Sequence, residues 1–475
     1  MRTEAERKRI IAAEKPIEQT WDGMTLAEVF AKVFDDRHLY CPERSRWYTY
    51  RDGRWTEEAQ KYPSALMVSI KEFKYLMNDY ANTDCRGHAQ EDSFRKFCSK
   101  LGDRHVRENL AKDAADALTI HAERFDSNPS LINCLNGTFD LSTGEFRRHD
   151  SHDYITYQTR FALAIFGNTK GRSRFQAFIE EVCSKEEDTQ DYLQKALGYS
   201  LLGRCPEECM FILYGKTTRN GKSTLLESIT HALGDYARSA PVDLICRQDH
   251  KRSAEAPTAV LASLQGIRIV TMAESEAAGR LDESLLKQYT GGESVTARQL
   301  YKSPVTFRPQ FTMWLSCNDL PEVKDPSVFA SDRIRVIEFK RHFTEEEQDH
   351  TLKALFETNE AMSEIFWWMY EGLKKYQKEG LAMTENQKKA TRSYQRENDH
   401  VLEWLEERCR KYDRGRTPVA QAYDNYSEWC QSNRYAPEGI RIFSSNVLKH
   451  PEWCEDKTKS HGVTTFSGFY ILDEM

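Results

Sequence analysis

The sequence predicts a central α/β domain with a parallel sheet, preceded by an α+β region and followed by short helices and strands. Strand-like and helix-like segments alternate from residue 208 to 340, which favours a parallel sheet covered by helices. Before them, the aromatic stretch RWYTYRDGRWTEE has Asp52 and Gly53 at a hairpin turn. After them, apolar residues recur at helical spacing over residues 344–380. The predicted units are residues 1–170, 171–345, 346–395 and 396–475.

The totals are typical of a globular protein. The 475 residues suffice for several domains, and 30% of them are charged. No apolar run approaches the roughly 20 residues of a membrane span, and the charged N-terminus lacks the apolar core of a secretory signal. The 12 cysteines show no zinc-binding spacing, so we expect reduced thiols and a cytoplasmic location. With a net charge of −7, any contact with nucleic-acid phosphates must come from a local cluster or a lined channel.

The stretch FILYGKTTRNGKSTLLESI, residues 211–229, is typical of a phosphate-binding loop. An apolar strand ends at Tyr214, and a helix-like pattern resumes after the sequence Gly-Lys-Ser-Thr. Such a loop directs backbone N–H groups and a lysine at phosphate oxygens and supplies a hydroxyl for Mg²⁺. The predicted nucleotide-binding residues are Gly215, Asn220, Gly221, Lys222, Ser223 and Thr224, with Ser223 as the metal ligand. Five residues separate Gly215 from Gly221, one more than in the usual pattern, and the alternative is a chance match in a surface loop.

A second element is expected to be a buried strand that ends in a carboxylate. The stretch IRIVTMAESE fits this description, with Glu274 and Glu276 after an apolar run. A carboxylate there would hold Mg²⁺ through water and polarise the attacking water. We favour Glu274 because it is nearer the strand end. The alternative is a helix cap or a surface carboxylate.

Two further polar positions follow apolar strands. Asn318 ends the strand in FTMWLSCNDLP, where its amide could orient water against a γ-phosphate, or simply turn the chain before Pro321. Arg333 and Arg335 enter the strand in FASDRIRVIEF. An arginine from a neighbouring subunit stabilises charge in phosphoryl transfer, whereas the alternative is a pair of solvated edge-strand arginines.

The order of these pieces resembles the superfamily 3 helicases, specifically the primase-helicase proteins of phages, plasmids and poxviruses. The resemblance is carried by NGKST, MAESE, LKQYTGGESVTARQLYK, LSCNDLP and DRIRVIEF, in that order over about 130 residues. It implies an AAA+-like motor that binds ATP and Mg²⁺ at the interfaces of a ring, usually a homo-hexamer, and translocates on single-stranded or forked DNA. By position, it implies that Glu274 activates water, Asn318 senses the γ-phosphate and Arg333 is the arginine finger. It also implies a DNA-gripping hairpin with its tip at LYKSP, where Lys302, supported by Arg298, would contact DNA.

The flanks of the motor are similar to this family as well. The stretch INCLNGTFDLSTGEFRRHD resembles the segment before many such motors, and the tail resembles a winged helix. Residues 395–475 hold 11 basic and 14 acidic side chains, so binding of DNA and binding of protein both stay open for the tail. The first 200 residues lack a catalytic primase constellation, and FDDRH at 34–38 is expected to be a turn. We therefore expect a helicase that works beside a separate primase, in the cytoplasm of a bacterial host if a phage or plasmid encodes it.

Two other functions compete with an ATP-driven DNA helicase. In a replication initiator or regulator, ATP would only switch assembly on DNA. A small-molecule kinase would share the phosphate loop but leave the flanking domains and TGGESVTAR without a role. DNA-stimulated hydrolysis coupled to strand displacement distinguishes these classes.

Overall fold

The N-terminal region combines a helical core with two small antiparallel sheets. The computed structural model describes residues 1–165, 173–247, 256–273, 279–298, 304–323, 325, 327–433, 435–460 and 462–472. The helices of this region are α1 Glu4–Glu14, α2 Gly23–Phe34, α3 Ser64–Thr83, α4 Glu91–Lys100 and α5 Arg104–Ala117. The strands are β1 His38–Cys41, β2 Arg46–Arg51, β3 Arg54–Glu57, β4 Leu131–Cys134, β5 Gly137–Asp140 and β6 Phe146–Arg147.

The predicted hairpin at Asp52 and Gly53 is confirmed. Strands β2 and β3 pair antiparallel around it, and both turn residues have positive φ, at 50° and 79°. The FDDRH segment joins α2 to β1, as expected for a turn. Its Asp36 is buried in an ion pair with Arg7, at 3.0 Å. This carboxylate therefore has a structural role, because a buried charge requires a partner.

The central domain is built on a five-stranded parallel sheet. Its strands lie in the order β15, β7, β14, β10, β8, and every neighbouring pair is parallel. The strands of the central region are β7 Met210–Tyr214, β8 Ala237–Ser239, β9 Cys246–Arg247, β10 Ile269–Ala273, β11 Arg280–Leu281, β12 Val295–Ala297, β13 Val305–Phe307, β14 Thr312–Cys317 and β15 Ile334–Glu338. Strands β7, β10, β14 and β15 are almost wholly buried on both faces, as parallel strands covered by helices must be.

Helices cover both faces of this sheet. They are α6 Arg174–Val182, α7 Glu187–Tyr199, α8 Lys222–Leu233, α9 Ala256–Ala262, α10 Glu283–Thr290, α11 Ser327–Ala330, α12 Leu352–Phe356, α13 Asn359–Glu379 and α14 Glu385–Glu397. Side chains of α13 share one core with Phe211 of β7 and Leu225 of α8. Buried residues of β4 and β5 join the same core. The strands β4 and β5, before the sheet in sequence, and helix α13, after it, thus pack directly on the central domain.

The C-terminal region has its own aromatic core. Its helices are α15 His400–Arg408, α16 Val419–Ser432 and α17 Ile440–Val447, and its strands are β16 Cys409–Pro418, β17 Asp456–Ser460 and β18 Val463–Ile471. The strands form an antiparallel sheet in the order β16, β18, β17. One face of the sheet packs on Trp404, Tyr426 and Phe443. The helix and strand content matches the expectation for the tail, while its classification as a winged helix stays a prediction.

Two expectations from composition agree with the structure. All 12 cysteines are unpaired, and 11 of them are buried. Within the described ranges, every helix falls short of the length and apolar character needed to cross a bilayer.

Candidate nucleotide-binding site

The predicted phosphate loop connects the second strand of the sheet to a helix. Strand β7 ends at Tyr214, the loop spans residues 215–221, and α8 begins at Lys222. The loop lies at the carboxyl-terminal edge of the parallel strands, where open α/β sheets bind ligands. The N-terminus of α8 offers unpaired N–H groups and the positive end of its dipole to an anion.

Both glycines of the loop are required by their surroundings. Gly221 has φ of +86°, and a Cβ on it would lie 2.4 Å from Val182 Cγ1 of α6. A Cβ on Gly215 would lie 2.3 Å from Asn220 Nδ2 and 2.7 Å from the carbonyl oxygen of Phe339. Larger residues at either position would displace the loop from α6 or from the chain after β15.

The longer loop is tied back to the protein through its carbonyl groups. Asn220 Nδ2 donates to the Thr217 carbonyl at 2.6 Å, and His342 Nδ1 lies 2.8 Å from the Thr218 carbonyl. The Phe343 N–H donates to the Arg219 carbonyl at 2.9 Å. In a trans peptide the N–H points opposite to the preceding carbonyl, so the N–H groups of residues 218–220 face away from these anchors. The additional loop residue therefore lies in a stretch whose N–H groups are directed outward, as anion binding requires.

Lys222 and Asn318 are brought together from two different elements. Lys222 is the first residue of α8 and only 4% exposed, and Asn318 follows β14, the neighbour of β7. Lys222 Nζ donates to Asn318 Oδ1 at 3.0 Å and to the Gly215 carbonyl at 3.1 Å. These contacts hold the Lys222 ammonium at the mouth of the phosphate loop, between the loop and the strand that ends before Asn318. Ser223 follows it in the first turn of α8 and is exposed.

The strand predicted to carry a carboxylate at its end is β10. Strand β10 ends at Ala273 and pairs with β14 and β8. Glu274 and Glu276 lie outside the described residues. The strand order places the end of β10 one strand beyond Asn318, at the same edge of the sheet.

A cavity of about 270 Å³ opens directly beside the loop. Residues of the loop, of α6 and of the segment after β15 line it, including Phe178, Arg219, Thr224, Phe343 and Asp349. Phe178 and Phe343 give it aromatic walls, and Arg341 lies over the Phe343 ring at 4.6 Å. Two aromatic rings among polar and charged side chains, next to a phosphate site, suit a flat heterocycle that carries hydrogen-bonding groups.

The outer rim of this cavity carries two carboxylates. Hydrogen bonds from the Thr344 backbone lower the pKa of Glu347, and the Thr351 hydroxyl and backbone lower the pKa of Asp349. Both groups are therefore ionised at neutral pH. Glu347 pairs with Arg341 at 3.0 Å and Asp349 with Arg174 at 3.8 Å, so these charges are compensated within the chain.

The two arginines of DRIRVIEF have different surroundings. Arg335 is 6% exposed and donates to Glu207 Oε2 at 2.9 Å and to the Leu381 carbonyl at 2.7 Å. Arg333 lies at the amino-terminal edge of the sheet, where its carbonyl accepts from the Met210 N–H at 2.8 Å. Its guanidinium donates to Thr290 Oγ1 at 2.7 Å and to Glu208 Oε2 at 2.5 Å. Arg335 thus stabilises the fold, and Arg333 lies at the edge of the sheet opposite to the phosphate loop.

The predicted hairpin between the carboxylate strand and Asn318 is confirmed. Strands β12 and β13 pair antiparallel, with Val295 opposite Phe307 and Ala297 opposite Val305. Arg298 is exposed just after β12. Lys302 lies outside the described residues.

Comparisons with known families account for three stretches of the chain. The family model described as D5 N terminal like matches residues 27–184, and the one described as Poxvirus D5 protein-like matches residues 396–470. Between them, residues 213–335 match a family described only as of unknown function. The chain belongs to the D5-like primase-helicase family.

Relatives of this D5-like chain carry helicase names. A candidate helicase of Acanthamoeba polyphaga mimivirus, L207/L206, is 26% identical over 422 residues, which are 82% of this chain and 43% of that protein. Candidate helicases of Frog virus 3 (022R) and Sputnik virophage (V13) are each 25% identical, over 58% and 41% of this chain and 30% and 26% of those proteins. The chain therefore spans less than half the length of these relatives.

A solved structure shares the overall fold. The A form apo structure of the NrS-1 C-terminal region matches with a TM-score of 0.50 at 12% identity, covering 94% of this chain and all of that one. The likeness covers the D5-like chain from its N-terminal region to its tail.

Sequence reasoning missed the groups around the phosphate loop. The anchors His342 and Phe343 and the cavity wall Phe178 lie 120 or more residues from Lys222, or on a helix before the loop. For His342 and Phe343, the signal in the sequence is the aromatic and polar character of HFTEEEQDH after β15. Phe178 lies on α6 and looks like any other apolar residue of a helix. Asn220 is among the predicted nucleotide-binding residues, but the sequence does not show that its side-chain amide donates within the loop to the Thr217 carbonyl.

Proposed function

We propose that this chain is the motor part of a DNA-replication helicase, which hydrolyses ATP and moves along single-stranded DNA as a ring, most simply a homo-hexamer. The observation that carries this proposal is the pair formed by Lys222 and Asn318, 3.0 Å apart at the carboxyl-terminal edge of the sheet. A lysine on the loop and a polar sensor on the adjacent strand are the two groups that a γ-phosphate must contact to be both bound and cleaved.

ATP would bind with its phosphates along the N–H groups of residues 218–222 and its base between Phe178 and Phe343. Lys222 would leave its present acceptors and donate to β- and γ-phosphate oxygens. Asn318 would then be free to orient the attacking water. Gly215 and Gly221 keep the backbone close enough for these contacts.

Mg²⁺ fits the donor set, because the exposed Ser223 hydroxyl and the predicted carboxylate of Glu274 are hard oxygen ligands. The ion would neutralise charge on the β- and γ-phosphates. In this arrangement Glu274 would hold the ion through water and accept a proton from the attacking water.

Arg333 would complete the site of a neighbouring subunit. It lies across the sheet from its own loop, and strand β7 separates the two edges by five residues, about 15 Å. The DNA would pass the β12–β13 hairpin, where Lys302 and Arg298 would contact its phosphates. An AAA+-type ring places these elements at subunit interfaces and in a central channel, which is the assembly proposed for this chain.

The decisive experiment is displacement of a labelled strand from a forked duplex with ATP and Mg²⁺. Wild type and Lys222→Ala are compared, with ATP hydrolysis measured in the same samples. Displacement by wild type alone is the expected result. Hydrolysis without displacement would overturn the helicase proposal in favour of an ATP-switched initiator. ATP-dependent assembly on DNA, with or without a separate primase, would then be measured in place of unwinding.

A further inference from the structure

The C-terminal region separates its charges into distinct surfaces. Over residues 395–475 acidic side chains outnumber basic ones, but residues 408–416 hold five basic side chains and a single acidic one, Asp413. Four of the five lie on β16, namely Arg410, Lys411, Arg414 and Arg416, and all four are exposed. The average charge therefore hides a local basic strand.

Asp413 lies within the basic strand, but the two carboxylates just before the strand are engaged elsewhere. Glu406 accepts from Arg396 at 2.7 Å, and Glu407 accepts from Trp429 Nε1 at 2.8 Å. Within the described ranges, Arg410, Arg414 and Arg416 have no carboxylate within ion-pair distance. Three arginines without a carboxylate at ion-pair distance on one exposed strand attract an anionic ligand.

The same surface exposes two tyrosine rings. Arg410 lies opposite Tyr470 across the β16–β18 pair, and Arg416 lies opposite Ser467. Directly opposed residues of an antiparallel pair point to the same face, so Arg410 and Arg416 lie on the outer face, away from the buried Phe466 and Phe469. Tyr412 and Arg414 lie in the irregular stretch between Lys411 and Arg416, where both are exposed and Tyr412 contacts Tyr470. Tyr470 is 45% exposed and Tyr412 is 53% exposed, and their ring centroids lie 6.3 Å apart at 80°.

Arginines interleaved with exposed aromatic rings on a sheet fit single-stranded nucleic acid. The guanidinium groups match the phosphates, and the rings stack on unpaired bases. Duplex DNA keeps its bases stacked internally, so exposed tyrosines would find no partner there. The second helix of a helix-turn-helix pair would enter the major groove, yet α17 exposes Ile440 and Ile442, which are 42% and 57% exposed.

We propose that the outer face of the C-terminal sheet binds single-stranded nucleic acid through Arg410, Arg414, Arg416, Tyr412 and Tyr470. Binding at this face requires no ATP. It is separate from the β12–β13 hairpin and goes beyond the proposed motor function. Such a face would hold the strand outside the motor while the hairpin engages it.

The test measures fluorescence anisotropy of a labelled single-stranded oligonucleotide with the full chain, without ATP, over a series of salt concentrations. The combined change of Arg410, Arg414 and Arg416 to Gln is expected to weaken binding at least 10-fold. It should also reduce the slope of log K against log salt by about 2, since three phosphates contribute about 0.7 each. Combined Tyr412→Ala and Tyr470→Ala is expected to weaken binding about 10-fold with little change of slope, and Tyr→Phe at both positions should retain binding.

Matched controls come from the N-terminal region. Arg95, Lys96 and Lys100 of α4 are exposed basic residues, and Tyr75 of α3 is 58% exposed. Changing the three basic residues to Gln, or Tyr75 to Ala, should leave the affinity for the oligonucleotide and the slope of log K against log salt unchanged. Thermal unfolding checks that every variant is folded.

The outcomes separate this proposal from the motor function. Lys222→Ala is expected to bind the oligonucleotide like wild type, so loss of hydrolysis would not disturb this result. A DNA and an RNA oligonucleotide of the same sequence show which strand the face prefers. Unchanged affinity and slope in the arginine variant, or tighter binding of duplex than of single strand, would overturn the proposal.

Discussion

At the carboxyl-terminal edge of the central sheet, Lys222 is buried and donates to two neutral oxygens, Asn318 Oδ1 and the Gly215 carbonyl. At the amino-terminal edge, Arg333 is ion-paired with Glu208, whose side chain is 50% exposed. The first edge has a cavity of about 270 Å³ beside the phosphate loop, whereas the second edge has a wider cavity of about 880 Å³, which Lys287 and Arg333 line together with Glu208 and Glu293. In the proposed ring, these two edges would be complementary halves of one site that meet between subunits.

The largest effect is expected at the amino-terminal edge. Arg333→Ala should reduce ATP hydrolysis by at least about 10³-fold, because an arginine finger contributes that much to phosphoryl transfer. Nucleotide affinity, measured with a fluorescent ATP analogue, should change little, since Arg333 lies far from its own loop. Equal losses in affinity and hydrolysis would show that Arg333 acts within its own chain.

Lys222→Ala should reduce hydrolysis by about 10³-fold, the upper range for loss of one preorganised cation or donor at a reacting group. Unlike Arg333→Ala, it should also weaken nucleotide binding. Lys374→Ala, an exposed lysine of α13, is the control and should match wild type. Retained affinity in Lys222→Ala would place the nucleotide elsewhere.

Asn318→Ala tests the contact between loop and sheet. It should lower the hydrolysis rate by about 10²-fold with a small change in nucleotide affinity, because the amide positions water rather than holding phosphate. Steady-state kinetics separates the two quantities, with the effect expected in kcat rather than KM. An effect confined to KM would assign Asn318 to binding alone.

Arg335→Ala is expected to have the smallest effect on hydrolysis per folded molecule and a clear effect on stability. Removing it leaves the Leu381 carbonyl without this donor and Glu207 with Tyr376 as a remaining donor, and should destabilise the protein by about 3 kcal/mol. Urea unfolding of Arg335→Ala and Arg333→Ala side by side measures the difference. Greater destabilisation by Arg333→Ala would reverse the roles assigned to the two arginines.

The sequence predicted the parts of the site that depend on local pattern. The loop, the strand before it, the strand ends at Ala273 and Cys317 and the β12–β13 hairpin follow from apolar runs and from the resemblance to a known family. The separation of Arg333 from Arg335 could not be derived, because both alternate with apolar residues. Only the packing of Glu207 and Leu381 around one side chain distinguishes them.

Features that depend on long-range packing were not predictable. The loop is anchored by His342 and Phe343 because β15 lies beside β7 in a particular register. In the tail, the count of 11 basic and 14 acidic residues left binding of DNA and of protein equally open. The pairing of β16 with β18 places Arg410 opposite Tyr470, and Tyr412 contacts the same ring. A count of charges does not contain that information.

The central claim is that two chains build one catalytic site, and mixing two inactive variants tests it most directly. Chains carrying Lys222→Ala supply an intact Arg333, and chains carrying Arg333→Ala supply an intact loop. In random equimolar rings about one quarter of the interfaces would combine both intact halves, so hydrolysis should recover to about that fraction of the wild-type rate. A mixture as inactive as each variant alone would contradict a site shared between subunits.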